Sequence, residues 1–312
     1  MITLPDYRKI TIRNEVDRYG FSNLLANHLS FSYTPRSFCN WLHGWIWHDV
    51  SSAYELGCHD VPYDTRIVVA KTEQKKMLNS LGYSNVYVGG LPFAYTSHTG
   101  IIRKKNSLLS FLPHSSQKNL HRMNTGSKID QSIDDYLDYL VTIKESFDEV
   151  RVCIYWGGCI DKELLDITDK ITMRGLKYVF GANPYDADSL TRMRKMLDSF
   201  EFVTTSTMGS HILYAAYSGC KVSICGTYFS TNEDNEFKSL EWVKKNFLFL
   251  FYDHPKDAVD YSSWAKNEIA SNKLANDELI NVLGWSLNGQ LEGYLRGLKS
   301  RTKSFITTKF LS

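Results

Sequence analysis

The sequence has no stretch approaching the roughly 18 apolar residues of a bilayer-crossing helix. Its longest candidate, FLFLFY at 247–252, is of strand length. None of its 6 cysteines forms a C-x-x-C pair, which sets aside the common zinc and dithiol-redox spacings. No G-x-G-x-x-G follows a strand, and G-x-x-x-x-G-K-[ST], G-x-S-x-G and H-E-x-x-H do not occur. The dinucleotide fingerprint, the P-loop, the nucleophile elbow and the zincin helix are thereby excluded. No acidic pair is taken for a metal site. The first residues, MITLPDYRKITIRNE, contain no apolar core of a signal peptide. No excess of one charge exists either. The formal net charge is +2, so nothing calls for nucleic acid as a partner.

What is present is an ordinary globular composition, 43% hydrophobic and 22% charged over 312 residues. That length suits two domains of roughly 100–200 residues. Cys153, Cys220 and Cys225 lie in apolar runs, as buried free thiols do, and a reduced, cytoplasmic compartment is expected. Aromatic residues reach 13%, with 19 Tyr and 7 Trp, a supply that suits a sugar- or base-binding cleft.

From about residue 107 strand and helix patterns alternate. Strands are predicted at SLLSFLP (107–113), VRVCIYW (150–156), LKYVFG (176–181), FEFVTT (200–205) and KVSICG (221–226). Helical spacing links Ile133, Leu137, Leu140 and Val141, then Leu164, Ile167 and Ile171, then Leu190, Met193 and Leu197, then Ile212, Ala215 and Ala216. Apolar strands alternating with helices specify a parallel sheet covered on both faces. The first 105 residues are less regular. TRIVVA (65–70) reads as a strand, EQKKMLNSLGY (73–83) as a helix, NVYVGGLPFAY (85–95) as a second strand with a Gly-Gly break and a Pro stop, and SFCNWLHGWIWH (37–48) as a strand running into a loop. Three parts are expected: 1–105, a smaller α/β domain; 106–265, a doubly wound domain; and 266–312, a helical tail. The tail ends with Arg296, Lys299, Arg301, Lys303 and Lys309 and no acid among them. It is either a solvated end or a contact with an anionic membrane surface.

In a doubly wound sheet ligands sit beyond the carboxyl ends of the strands. Four such ends carry small polar residues or glycine: Pro113, His114 and Ser115; Trp156 and Gly157; Gly181 and Asn183; and Ser206, Thr207, Gly209, Ser210 and His211. The last group opens a helix, where free N–H groups and the positive dipole end receive phosphate. Its hydroxyls either cradle a phosphate or form a plain cap worth about 1 kcal/mol.

TTSTMGSHILYAAYSGCKVSICG (204–226) resembles the donor-domain segment of GT-B glycosyltransferases. There a Ser/Thr/Gly-bearing helix start holds the donor phosphate. The Ser206-Thr207 pair is similar to the Ser-Ser/Thr motif of bacterial sialyltransferase families, and Pro113-His114-Ser115 matches their His-Pro motif with the order reversed. The resemblance covers residues 107–230 and implies two Rossmann-like domains facing a cleft, an α/β fold with the smaller domain first. It implies a nucleotide-sugar co-substrate, no metal and no other cofactor. Partners would be that donor, an oligosaccharide or lipid-linked glycan acceptor and, through the basic tail, the inner membrane.

Sugar transfer with inversion needs a base for the acceptor hydroxyl. NWLHGWIWHD (40–49) offers His43, His48 and Asp49 among three tryptophans, and CHDVPYD (58–64) offers His59 and Asp60. His43 before Gly44 also resembles the His-Gly pair of polyol-phosphate polymerases. The expected activity is transfer of a sugar, with a CMP-activated acidic sugar favoured over UDP or GDP donors, in capsule or lipopolysaccharide synthesis. The rivals are a polyol-phosphate transferase, a sugar-nucleotide epimerase and a non-catalytic nucleotide-binding scaffold.

Overall fold

The computed structural model describes residues 4–58, 60–112, 126–156, 161–230, 237 and 239–295. Within them strands form two sheets, each parallel throughout. The first holds β1 (Cys39–Trp41), β2 (Arg66–Val69) and β3 (Val86–Val88) in that order. The second holds β4 (Lys104–Phe111), β5 (Glu149–Ile154), β6 (Lys177–Phe180), β7 (Phe200–Thr205) and β8 (Lys221–Ile224), in the order β6-β5-β4-β7-β8. The chain starts at the centre, builds outward to one side and then returns to build the other. This is the strand order of a Rossmann-like sheet, and its crevice lies where the direction reverses, between β4 and β7.

The helices are α1 (Phe21–His28), α2 (Thr72–Ser80), α3 (Gly126–Ile143), α4 (Asp161–Met173), α5 (Ser189–Ser199), α6 (Ser210–Tyr217), α7 (Leu240–Phe247), α8 (Ser262–Ala270), α9 (Asn276–Leu283) and α10 over 287–295. Neighbouring residues along a strand enter opposite cores, as the two-residue period demands. Leu109, Cys153 and Val203 pack with α5 and α6 residues such as Leu197, Ile212 and Ala216. Leu108, Val152, Ile154 and Phe202 pack with Leu137 and Leu140 of α3 and Leu164 of α4. Both faces are covered, which explains the unbroken apolar strands.

The core on the α5–α6 side continues into the first sheet through Trp41, Val68, Leu91 and Phe93. It also takes in Ile269 of α8 and Leu283 of α9. The chain after α7 therefore returns to the first sheet: Leu91 N donates to Ile269 O (3.1 Å) and Phe38 N to Leu283 O (2.9 Å). A polar clamp fixes the 96–103 connection. Arg194 Nε donates to Asp198 Oδ1 (2.8 Å) inside the core. Asp198 Oδ2 also accepts from Thr99 N and Thr99 Oγ1, both at 2.8 Å.

FLFLFY is divided between elements: Phe247 ends α7, Leu248–Leu250 is a 3-10 turn, and Phe251 makes an isolated bridge to Ile224. Ser239 caps α7 by accepting from Trp242 N (3.2 Å), so the run emerges from a helix already started. NVYVGGLPFAY is a strand to Val88 and breaks at Gly89-Gly90, as its sequence leads one to expect. Pro92 then opens a 3-10 turn, Pro92–Tyr95, as proline's fixed φ and missing N–H favour at a helix start.

Candidate functional site

A cavity of about 230 Å³ opens at the carboxyl ends of β4, β5 and β6. Phe111 and Leu112 come from β4 and its exit, Cys153 and Tyr155 from β5 and its exit, and Gly181 and Ala182 follow β6. Leu190 and Met193 of α5 close one side, and Ser210, His211 and Tyr214 of α6 another. The opposing wall is Tyr19, His43 and Gly44, contributed from the first third of the chain. The site is thus a seam between the Rossmann-like sheet and the segments around β1.

Two hydrogen bonds hold that seam. Trp45 N donates to Ser210 Oγ (2.8 Å), and Tyr214 Oη donates to the His43 carbonyl (2.6 Å). The loop leaving β1 is thereby tied to the first turn of α6. His211 stacks on Phe111 with centroids 4.8 Å apart. A Cβ on Gly209 would stand 2.7 Å from the His211 ring, so the missing side chain there makes room for the imidazole.

Across the cavity His43 Nδ1 lies 3.4 Å from Glu15 Oε2. That is an ion-pair separation, longer than a hydrogen bond, and Nδ1 has no hydrogen-bond partner among the described residues. Arg18 Nε donates to Glu15 Oε1 (2.8 Å). The His43 contact first, and the Arg18 guanidinium after it, hold the Glu15 carboxyl down to about 2 against the opposing effect of burial. Glu15 is therefore a carboxylate at any physiological pH.

Tyr19 meets the His43 ring at a tilt of 53°, with centroids 4.8 Å apart. Its backbone is left-handed, φ 59, which is strained for a bulky side chain. Tyr19 N, donating to Pro184 O (3.0 Å), holds it there. Burial pushes its phenol up, while the Tyr155 hydroxyl acts in the opposite direction. Gly20 follows at φ +73, and a Cβ on it would stand 1.8 Å from Ala187 O. Only glycine lets this turn press against the loop after β6.

Of the sequence candidates, His43, Gly181, Ser210 and His211 line the cavity. Ser206 and Thr207 are buried and stand outside its wall. Ser206 O accepts from Phe229 N (2.6 Å), and Thr207 N donates to Thr205 Oγ1 (3.3 Å), so both shape the β7–α6 turn. Trp156 is buried, donates Nε1–H to Gly181 O (2.9 Å) and meets Tyr7 edge-on. Asn183 Oδ1 accepts from Tyr185 N (3.0 Å) within its own turn. His48 pairs with Glu55 (2.7 Å) and stacks on Phe237. Asp49 and Asp60 are exposed and outside the cavity wall. His59, Pro113, His114, Ser115 and Gly157 lie outside the described residues.

Sequence reasoning passed over Glu15, Tyr19, Tyr155 and Tyr214. Tyr214 was findable, since it follows Ser210 by four and His211 by three, on one helix face. Tyr155 adjoins the singled-out Trp156. Nothing local marks Glu15 or Tyr19. Asp186-x-Asp188 was also passed over, although it has the spacing of a metal-binding pair. Asp186 lies 2.6 Å from Arg192 and Asp188 lies 3.3 Å from Arg8. No group of three His, Cys, Asp or Glu side chains suited to a metal occurs among the described residues.

A scan against protein-family models returns no match, and no curated protein matches the chain.

Proposed function

We propose that this chain is a glycosyltransferase of GT-B-like organisation, which moves a sugar from a nucleotide-activated donor to a glycan acceptor. The observation that carries the reading is the His43–Glu15 pair facing the start of α6 across the crevice of the sheet. An acceptor hydroxyl gives its proton to His43 as its oxygen attacks the anomeric carbon. The bond from that carbon to the donor phosphate breaks, and the electron pair leaves with the phosphate. Glu15 stabilises the imidazolium that forms, in the manner of a carboxylate–histidine pair. The α6 N-terminus and His211 face the charge gathering on the leaving phosphate.

Among the described residues, the cavity wall contains histidine, serine and tyrosine but neither lysine nor arginine. One helix N-terminus with a neighbouring imidazole suits a monophosphate better than a diphosphate, which supports a CMP-activated donor over UDP or GDP donors. The same leaving group serves a second reading, polyol-phosphate transfer from a CDP-polyol. The joint presence of His43 and Gly44 in the cavity wall favours keeping it.

The test is a thermal-unfolding panel with CMP, CDP, UDP and GDP on the parent chain and on His43→Ala and His211→Ala. A ligand bound only by the folded state raises the midpoint by mass action. A shift with CMP that shrinks in His211→Ala supports the reading. No shift with any nucleotide refutes a donor site. CMP binding without turnover of a CMP-sugar or a CDP-polyol favours the scaffold.

A further inference from the structure

A fold calls for glycine where the backbone is left-handed or where a neighbour stands too close for a Cβ. The described glycines of this chain meet one condition or the other, with a single exception. Gly57 and Gly100, for instance, have open space around them but φ of +65 and +73. Gly89, Gly181 and Gly209 would set a Cβ 2.6, 2.6 and 2.7 Å from a neighbouring atom. Gly44 meets neither condition. Its backbone is not left-handed. A Cβ on it would meet Ser210 Oγ alone, at 3.7 Å, an ordinary van der Waals contact. Among the described glycines it is the one that neither backbone nor packing requires.

The space beside Gly44 is the cavity. Gly44 stands in its wall next to His43, and Ser210, the one group its Cβ would meet, stands in the same wall. Both neighbours of Gly44 in the chain are fastened to α6. The His43 carbonyl accepts from Tyr214 Oη (2.6 Å), and Trp45 N donates to Ser210 Oγ (2.8 Å). Gly44 N and Gly44 O make no hydrogen bond among the described residues. The peptide is thus held firmly on each side, while its own polar groups stay unspent and no side chain covers it. Such a backbone suits close approach by a ligand.

We propose that the room at Gly44 is kept for a ligand: the phosphate of a nucleotide lies against the bare backbone of residue 44, opposite Ser210. That the group is a phosphate rests on the donor site proposed for this cavity. That residue 44 serves a ligand rests on the glycine itself. Position 44 then sets the size of what the cavity admits. A methyl group there would take up the ligand's place and leave the fold as it is.

The test has two parts. The first is thermal unfolding of Gly44→Ala without ligand. Alanine at an ordinary φ, with space for its Cβ, leaves the folded state unstrained and restricts the unfolded chain. The midpoint should equal or exceed that of the parent. A lower midpoint means that the fold itself requires the glycine, and it overturns the proposal.

The second part is calorimetric titration of parent and variant with CMP and with cytidine. Gly44→Ala should weaken CMP binding by about tenfold to a hundredfold, the effect of overfilling a packed site. Equal CMP binding by parent and variant overturns the proposal and leaves the donor site standing. No CMP binding by the parent removes the donor site, and this inference with it. An equal loss for cytidine, which has no phosphate, would put the nucleoside at residue 44 and overturn the assignment of phosphate there.

Discussion

His43 is held at both ends: Tyr214 Oη donates to its carbonyl at 2.6 Å, and Glu15 Oε2 lies 3.4 Å from its ring Nδ1. The first contact sets the backbone of the loop leaving β1, and the second directs the imidazole toward the cavity. His43→Ala should lower turnover by about 10²- to 10⁴-fold, the range for a lost general base. Glu15→Gln should lower kcat by about 10²-fold with little change in KM, because in the proposed reaction the carboxylate acts on the imidazolium and not on bound substrate. Steady-state kinetics on both variants check this, and a Glu15→Gln enzyme with unchanged kcat would remove Glu15 from the mechanism.

Ser210→Ala deletes the acceptor of Trp45 N. A part-buried N–H left without a partner destabilises by about 1–3 kcal/mol. The expected result is a loss of that size in urea unfolding together with a raised KM, since the loop carrying His43 and Gly44 then keeps only the Tyr214–His43 bond to α6.

Acid should weaken the fold through two carboxyls. Glu15 is held at about 2 by His43 and Arg18. Burial alone would raise Glu55, yet the His48 ring and the Ser51 and Ser52 donors bring it to about 2. Both folded values lie below the ordinary carboxyl value of 4.5, so between the two the unfolded chain binds more protons than the folded one. The stability contributed is present above pH 4.5 and is lost as pH falls toward 2. Each group is worth on the order of 1 kcal/mol after solvent screening. Urea titrations from neutral pH to about pH 3 should show this loss, and it should be smaller in Glu55→Gln.

Asp198→Ala leaves Arg194 buried and uncompensated and releases Thr99 N and Thr99 Oγ1. Removing one partner of a buried pair destabilises by about 3–5 kcal/mol. Replacing the pair together, with Arg194→Met and Asp198→Leu, should recover part of that loss in denaturant unfolding.

Gly20→Ala asks a Cβ to occupy space 1.8 Å from Ala187 O at a left-handed φ. The left-handed backbone alone is worth roughly 1–2 kcal/mol against alanine. The larger effect expected is on turnover, because the Glu15–Gly20 turn carries both Glu15 and Tyr19. An alanine variant with parental stability and kinetics would show that the contact relaxes freely.

The parallel Rossmann-like sheet was legible because each of its strands is a short apolar run and each crossover helix has a clear 3.6-residue period. Leu108 and Leu109 enter different cores, and a sequence that buries both neighbours announces a strand covered on both faces. The helix start at Ser210 and His211 was legible for a similar reason: small polar residues between a strand and an apolar helical period mark a sheet edge. FLFLFY has no period of its own, and only the cap at Ser239 decides that a helix runs into it.

What the sequence by itself determined is what repeats along it: the strand and helix periods, the sheet edge where loops gather, and the polar start of α6. The tertiary structure alone decided the composition of the opposing wall. Tyr19 and His43, with Glu15 behind His43, meet across the cavity from Ser210 and His211 because the Glu15–Gly20 turn packs under the loop after β6, where Gly20 admits Ala187. Contacts between residues so far apart in the chain depend on packing, which no local period encodes. The same holds for Ser206 and Thr207, whose hydroxyls suggested a ligand site. Their side chains are buried, and only the packed fold reveals which polar groups at a helix start face the cavity and which lie outside its wall.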